Sequence, residues 1–586
     1  MTRPLIYYSV AVFLGSVISV CFMNKFFILG AVLAALFLIL FMHLTFKEAF
    51  IIILFAIFSM VNTYIYFNKF NAYLFKENIR VEGKLGLDTL GVYKGKKVII
   101  DNIDFESYKN GLINVSGYIE KSPKYEFGII GKLYVAENHS FKKDYIYKIN
   151  LLKEQVYNSL VSSIGEENAA LTSGICFGEA SNIKKEQKNL FRDLGISHII
   201  SVSGLHIAMI YKIIEKLFSY KVSIIITVLY SILTGAKAPT LRALFMIILL
   251  KCSSKIYKKY DNMSSLAFSA IILLVIKPYL SFDMGFHLSY LATLGILLFY
   301  KKIKRTLYKL PSFIKDPLAI TLSAQVFSLP YSVFAFKSIN LNFILSNLIL
   351  IPFYTAILIL GNLYFILGNI AVINSMIIFL LKLCFSALEG GYILFNNIGF
   401  STSYLSYLDG IIILALYISY GLYKKGYERI KLFPLTLLLL AIIQYYCFIP
   451  TIEYFKYGKD VFALFKYKNS NVLIANNPIK REEILNTLKV QKKLVLGEED
   501  INLILKNKTF ITLQKDIESF NVHINTKKKK NIIVSKDKNK DLPLITYKES
   551  DIIRVDANTE EYSFNVENLK TIYIFNDSVY VIDNFP

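Results

Sequence analysis

The sequence is poor in the residues that build metal centres and disulfide frameworks. Five cysteines stand among 586 residues, at positions 21, 176, 252, 384 and 447, and no two have metal-ligand spacing. The two polar intervals, about 69–150 and 455–586, contain none of them. Buried small apolar residues are the preferred reading, with a Cys21–Cys447 bridge as the alternative. Histidine is scarce as well. Of six, only His523 falls in 455–586. A dinuclear metal site needs several nitrogen and carboxylate ligands converging, so metal-dependent chemistry is not expected of that segment and no cofactor is expected of the chain. A GxxxxGK[ST] loop is also missing, which assigns any ATP-driven step to a separate protein.

Long apolar runs are abundant. Hydrophobic residues make up 54% of the chain and the mean hydropathy is +0.47. The runs 5–23, 26–44 and 49–67 are each about 27–33 Å long as helices, matching a hydrocarbon core of ~30 Å. The first could pass for a signal peptide, but no small-residue cleavage site follows and two more runs come at once. Further runs lie at 197–213, 217–235, 239–252, 264–280, 285–300, 318–336, 342–367, 370–398, 406–423 and 432–449. The pattern predicts a polytopic α-helical membrane protein of about 11–13 spans, with residues 1–68 forming the first three and 197–450 the rest.

Lysine and arginine number 66 against 43 aspartates and glutamates, a formal charge of +23. Position explains much of this excess. With a cytoplasmic N-terminus, the loops 212–221, 251–261, 301–316 and 424–431 all fall inside, and these are the basic ones. The alternate loops 236–238, 281–284 and 337–341 are nearly uncharged, as the positive-inside rule requires. This orientation places both polar intervals outside. Residues 69–150 alternate apolar and polar positions between Gly91, Gly95, Asn110, Gly111, Gly128 and Gly131, which predicts an extracytoplasmic small β-barrel of five strands. Residues 151–196 read as an amphipathic helical linker, and 451–586 as a C-terminal α/β soluble domain.

Polar residues inside apolar runs are site candidates, because each costs several kcal/mol unless it faces water or the bundle interior. His198 opens one run on the outer side, with Ser203, Gly204 and His206 following toward mid-depth. Lys237, Pro239 and Arg242 stand at the outer end of another, and Asp283 and His287 at that of a third. Gln325 with Pro330, and Asn347 with Pro352, interrupt two more. Lys382 and Glu389, seven apart, form a possible intramembrane pair. Each also has an ordinary reading: Arg242 snorkels, Asp283 caps a helix, Gly204 permits close packing, the prolines are kinks, and the histidines are satisfied interior groups. Several clusters at similar depth argue together for a hydrated cavity opening outward.

The stretch 191–206, FRDLGISHIISVSGLH, preceded by Gly178, resembles the signature of the ComEC competence proteins. So do 238–243 (APTLRA) and 282–293 (FDMGFHLSYLAT). Ser323-Ala324-Gln325 with Leu329-Pro330, then Ser346-Asn347 with Ile351-Pro352, follow in the family's order. The resemblance implies a channel in the bacterial cytoplasmic membrane that passes single-stranded DNA inward during natural transformation. It further implies an OB-like fold for 69–150, a class that often binds single strands through a basic groove with aromatic platforms. Tyr93, Lys96, Lys97 and Tyr118 are the candidates for that contact. A DNA receptor on the outer face, a cytoplasmic ATPase, single-strand-binding proteins and a separate nuclease are the implied partners.

Two positions depart from the family pattern. His287 stands where most relatives carry Gln, and 451–586 is at most a shortened remnant of the metallo-β-lactamase-like domain many relatives have. The rival reading is an intramembrane serine hydrolase with Ser203 as nucleophile and His206 or His287 as base. Against it, position 201 is Ser rather than Gly, and Ser203 and His206 on one helix make a poor relay. A lipid or polymer transporter is a third reading.

Overall fold

The computed structural model describes most of residues 3–475, with breaks of one to four residues, and beyond 475 the strands alone. The chain forms two units: Met1–Tyr331 with Asn340–Thr402, and Ser332–Ile339 with Ser403–Pro586.

The first unit opens with α1 (Pro4–Met23), α2 (Phe27–Phe41) and α3 (Phe46–Asn68). Pro4 sits in the first turn of α1, where no N–H is needed. Thr45 and Glu48 form a capping box at the start of α3. Small residues let α1 and α3 approach closely. Ser16 Oγ lies 2.8 Å from Ser59 Oγ, and Ser19 donates to the Met60 carbonyl at 3.0 Å.

The next segment closes into a five-stranded barrel: β1 (Tyr73–Leu85), β2 (Asp88–Tyr93), β3 (Lys96–Asp101), β4 (Leu112–Glu120) and β5 (Ile129–Lys142), with the short α4 (Phe105–Tyr108) between β3 and β4. The order around the barrel is β1-β2-β3-β5-β4, with β3 and β5 parallel and the other pairs antiparallel. Ile79, Val81, Val98, Ile113, Val115, Ile130 and Leu133 fill it, and closure leaves no sheet edge to protect. This is the barrel that the alternation in 69–150 predicts.

Helices follow: α5 (Tyr145–Ile164), α6 (Glu166–Phe177), α7 (Lys185–Asp193), α8 (Gly204–Leu217), α9 (Tyr220–Leu233), α10 (Ala238–Lys255), α11 (Asn262–Ile276), α12 (Met284–Thr306), α13 (Ser312–Phe336), α14 (Phe343–Ile349), α15 (Ile351–Leu367) and α16 (Ala371–Ile398). Residues 151–196 are not simply an amphipathic linker. Every residue from Ala169 to Phe177 in α6 is buried, in a core shared with α15 and α16. Ala169, Ala170, Ser173 and Gly174 have little hydropathy to announce this. Their small size is what lets α6 into the core.

The span count also differs from the expectation. Among the described residues four helices are long and apolar enough to cross a membrane: α1, α3, α13 and α16. α14 and α15, bent by 49° at a short break, make five if taken as one span. α8 and α9 have 14 residues each and α11 has 15. That is about 21–23 Å at ~1.5 Å per residue, short of a ~30 Å core. Apolar runs in the sequence hide the turns that shorten these helices.

In the second unit β6 (Ser338–Ile339) pairs with β7 (Ser403–Tyr404), followed by α17 (Tyr407–Lys424) and α18 (Phe433–Tyr445). Beyond lie β8 (Cys447–Tyr457), β9 (Asp460–Lys468), β10 (Ser470–Ala475), β11 (Lys492–Val495), β12 (Ile501–Ile504), β13 (Phe510–Lys515), β14 (Phe520–Asn525), β15 (Ile532–Ser535), β16 (Ile552–Arg554), β17 (Glu567–Phe575) and β18 (Ser578–Asp583). They form a six-stranded sheet, β11-β10-β9-β8-β17-β18, and a five-stranded one, β12 to β16 in order. The helices of the expected α/β domain are not among the described residues. His523 lies on β14, opposite Thr512 and Ile533.

Candidate nucleic-acid path and barrel surface

Four helix ends meet in the first unit: the C-termini of α6 and α9 and the N-termini of α8 and α10. Lys237, just before α10, donates to the Gly178 carbonyl after α6 at 3.0 Å. Tyr230 of α9 donates to the Cys176 carbonyl at 2.7 Å. His198 occupies a 3₁₀ turn, Ser197–Ile199, and α8 begins only at Gly204. Ser203 and His206 are therefore at a helix start rather than at mid-depth. The Ser203 N–H donates to His206 Nδ1 at 2.8 Å, and the two residues form a capping box. Nδ1 is thus an acceptor for a backbone amide, not a base aimed at the Ser203 hydroxyl.

Arg242, in the second turn of α10, reaches across to α12. Its Nη1 donates to the Ser289 carbonyl at 2.8 Å and its guanidinium lies 6.0 Å from the centre of the Tyr290 ring. Its Nε is sealed from solvent and has no hydrogen-bond partner, and among the described residues no carboxylate forms an ion pair with it. Gly204 makes this placement possible, because a Cβ there would stand 2.5 Å from Arg242 Nη2 and 3.2 Å from Ala243 Cβ. Pro239 lies in the first turn of α10, a position that breaks no helix.

Asp283 is the N-cap of α12, its Oδ1 accepting from the Phe286 N–H at 2.6 Å. One turn on, His287 is held at both ring nitrogens. Nε2 lies 2.9 Å from the Ser281 carbonyl, which only a protonated nitrogen can satisfy, so Nδ1 accepts from the Tyr331 hydroxyl at 2.6 Å. That neutral tautomer is structurally committed. His287, Arg242, Ser203 and His206 thus gather around the first turns of α8, α10 and α12.

The remaining candidates lie apart. Gln325 accepts from Ser328 at 3.1 Å, and Asn347 donates to Thr321 at 3.5 Å while its buried Oδ1 lacks a partner. α13 runs on through Pro330 instead of breaking there, whereas Pro352 does sit in the first turn of α15, beyond the bend. Lys382 and Glu389 are both exposed and form no ion pair, since seven residues separate them by about 10 Å along α16. Cys21, Cys176 and Cys384 are buried free thiols and Cys252 is an exposed one, while the side chain of Cys447, the other half of the alternative bridge, lies outside the described residues.

On the barrel, three of the four residues expected to meet a single strand have other work. Tyr93 is 2% exposed, inside the barrel. Lys96 donates to the carbonyls of Ile65, Tyr66 and Lys69, closing the C-terminus of α3. Lys97 lies 4.8 Å from the ring centre of Tyr279. Burial holds both lysines below the ordinary ammonium range, with Lys69 adding to the effect at Lys96. Tyr118 alone remains at the surface, 48% exposed.

Two tyrosines absent from the sequence reading join it. Tyr118 pairs with Tyr73 on β1 and with Tyr134 on β5, so three tyrosines stand in line across adjacent strands. The Tyr118 and Tyr134 rings stack at 5.0 Å with planes 21° apart, and Tyr73 is 86% exposed. Lys132 covers the Tyr134 ring at 5.0 Å. The alternation Lys132, Tyr134 on β5 carried the signal, since residues two apart share a face.

The fold and these contacts define a mainly helical protein with several apolar helices long enough to cross a bilayer, carrying a small closed barrel and a polar cluster at the starts of three helices. The family model described as "Competence protein" matches residues 175–424, which include the whole cluster. That region is therefore similar to the competence proteins, the ComEC family that the motifs in 178–352 resemble. It is 25% identical over 231 residues to "ComE operon protein 3" of Bacillus subtilis, covering 37% of this chain and 29% of that protein. An "Uncharacterized protein" of Aquifex aeolicus is 27% identical over 244 residues, 39% of this chain and 59% of that one. "Recombination protein 2" of Haemophilus influenzae is 21% identical over 213 residues, 32% of this chain and 27% of that protein. The matched stretch thus spans less than two thirds of each relative. No solved structure matches the chain.

Proposed function

We propose that this chain is a multi-pass protein of the bacterial cytoplasmic membrane that passes single-stranded DNA inward during natural transformation. One observation carries the reading: Arg242, half-buried with its Nε sealed from solvent and, among the described residues, no carboxylate paired with it, at the starts of helices inside the region that the competence-protein model matches. An unpaired buried charge costs several kcal/mol. A phosphate passing beside Arg242 would supply the missing partner only in transit, which suits a path that must be positive without retaining its cargo. His198, Ser203, Gly204, His206 and His287 brace this mouth with neutral polar groups, and Lys237 stands at its rim. Gln325 and Asn347, with Pro330 and Pro352, belong to helices further along the path. The tyrosine row on the barrel receives the strand outside by stacking under its bases.

The work is passage, not bond breaking. Nδ1 of His206 accepts the Ser203 amide, and His287 is held by Ser281 and Tyr331. The energy source and any strand-degrading nuclease are assigned to other proteins, as is the outer DNA receptor. The test is Arg242→Gln in a transformable host, with labelled DNA followed into the cytoplasm. Losing a desolvated charge contact worth about 2–5 kcal/mol should cut internalised strand at least 30-fold, with protein level and surface-bound DNA unchanged. Undiminished internal label would overturn the proposal.

A further inference from the structure

The break between α14 and α15 leaves oxygen acceptors for which the chain supplies no donors. α14 ends at Ile349 and α15 begins at Ile351, so the helical bond from the Ile351 N–H to the Asn347 carbonyl is not closed. Pro352 has no N–H to offer the Leu348 carbonyl. The Phe353 N–H, which a continuous helix would direct to Ile349, donates to Leu350 at 3.1 Å instead. Three consecutive carbonyls are left without helical donors at a bend of 49°.

A proline kink explains the freed carbonyls but not the side chains beside them. Serines in these helices commonly bond the carbonyl one turn back, as Ser323 does at Ala319 and Ser328 at Ala324. Ser346 does not. It is 0% exposed and its Oγ has no hydrogen-bond partner. Asn347 reaches across to α13, its Nδ2 lying 3.5 Å from Thr321 Oγ1, at the limit of a hydrogen bond. Its Oδ1 is sealed from solvent and also lacks a partner.

Leaving such groups unpaired is costly, and more so in a helix pair apolar enough to cross a membrane. A single water has two protons to give, too few for the three carbonyls and Asn347 Oδ1. A cation needs no donor geometry and takes neutral oxygens directly. Ser346, Asn347 and Thr321 carry no charge, and the hard divalent ions are usually held by carboxylates, so this oxygen set suits a single positive charge. Broken membrane helices hold ions in this manner, through unwound carbonyls and the ends of half-helices.

We propose that the α14–α15 break binds an alkali-metal cation, sodium or potassium, through the carbonyls of residues 347–349 with Asn347 Oδ1 and the hydroxyls of Ser346 and Thr321. The site does not depend on the nucleic-acid reading. The test uses the full chain in neutral-lipid nanodiscs without nucleic acid. Binding of radiolabelled sodium is measured in choline chloride at constant ionic strength, with unlabelled sodium and potassium as competitors. Saturation at a single ion per chain is expected. Asn347→Leu should weaken binding by about tenfold through the loss of a ligand. Pro352→Ala gives the Leu348 carbonyl an N–H and lets the helix run on, so it should weaken binding while leaving every side-chain ligand in place. Asn347→Asp should recruit calcium, because a carboxylate suits a divalent ion. If Asn347→Leu does not fold, the other two variants carry the test. Absence of saturable sodium or potassium binding by the unmodified chain would overturn the site. So would binding that Asn347→Leu and Pro352→Ala both leave unchanged, or a native preference for calcium or magnesium. None of these results bears on DNA passage, since no strand is in the assay.

Discussion

In the barrel, Arg80 donates to both carboxylate oxygens of Asp144, with the Nη1 contact at 3.2 Å, and Asp144 also accepts the Tyr147 N–H as the N-cap of α5. In the helical body, Arg242 has a carbonyl, a tyrosine ring and a sealed Nε, and no carboxylate among the described residues. Both guanidiniums are largely withdrawn from water. The first is neutralised and ties the end of the barrel to the helix that follows. The second is left charged in a region where burial without a partner is costly. A charge kept in that state contributes little to folding, and so its retention points to work done on something that arrives from outside.

The contrast can be broken most directly at Asp144. The Arg80 contact, followed by the Tyr147 amide, holds its carboxyl below the ordinary carboxylate range. Asp144→Asn should destabilise the chain by about 2 kcal/mol, through a lost charge-assisted contact and a weakened cap. The native stabilisation is complete above the unfolded pKa of about 3.9 and disappears as pH falls through the lower folded value. The variant's thermal midpoint should therefore vary less with pH in that acid window than the native one. Equal pH dependence would mean that the ion pair does not hold the barrel end.

An effect on binding rather than on stability should come from the tyrosine row. Tyr118→Ala together with Tyr134→Ala should weaken oligonucleotide binding by about 1–3 kcal/mol for each base that loses its platform, with little change in salt slope. A change confined to the slope would show that the row acts through its lysines instead. Arg242→Met should sharpen the comparison from the other side, leaving thermal stability unchanged or raised by up to about 1 kcal/mol, since it removes an unpaired charge. A marked loss of stability would make Arg242 a structural residue like Arg80. Smallest of all, Ser203→Ala should leave DNA internalisation near its native level while costing about 1 kcal/mol of capping. Abolished internalisation in a normally folded variant would restore the hydrolase reading.

The barrel was legible because its signals are local. Strand alternation and turn residues in 69–150 act over a few positions and do not depend on distant packing. Its surface was less so. Tyr93 and Tyr118 look alike in a list of aromatic and basic neighbours, yet the pleat turns one inward and the other outward, and a one-residue change of register would exchange them. In the helical body, Asp283 could be read as a cap from the apolar run it precedes. His287 could not be resolved, because Ser281 and Tyr331, the two groups that fix its tautomer, lie on different elements. α6 escaped notice for the reason that makes it fit: its alanines, serine and glycine are small enough to lie in the core it shares with α15 and α16, where Thr172 and Cys176 meet Gly361 of α15.

The attachment of the barrel has a mechanical consequence. Lys96 grips three carbonyls at the end of α3, Tyr66 donates to the Gly128 carbonyl at 2.9 Å, and Lys97 rests over Tyr279. Gly128 has a left-handed φ of 72°, and a Cβ there would lie 2.4 Å from the Tyr279 ring, so any other residue would prise this seat open. A single tether would let the barrel swivel. Several separate points of grip make it a bracket, so a force applied to its tyrosine face would be delivered as torque to α3 and to the turn that leads into α12.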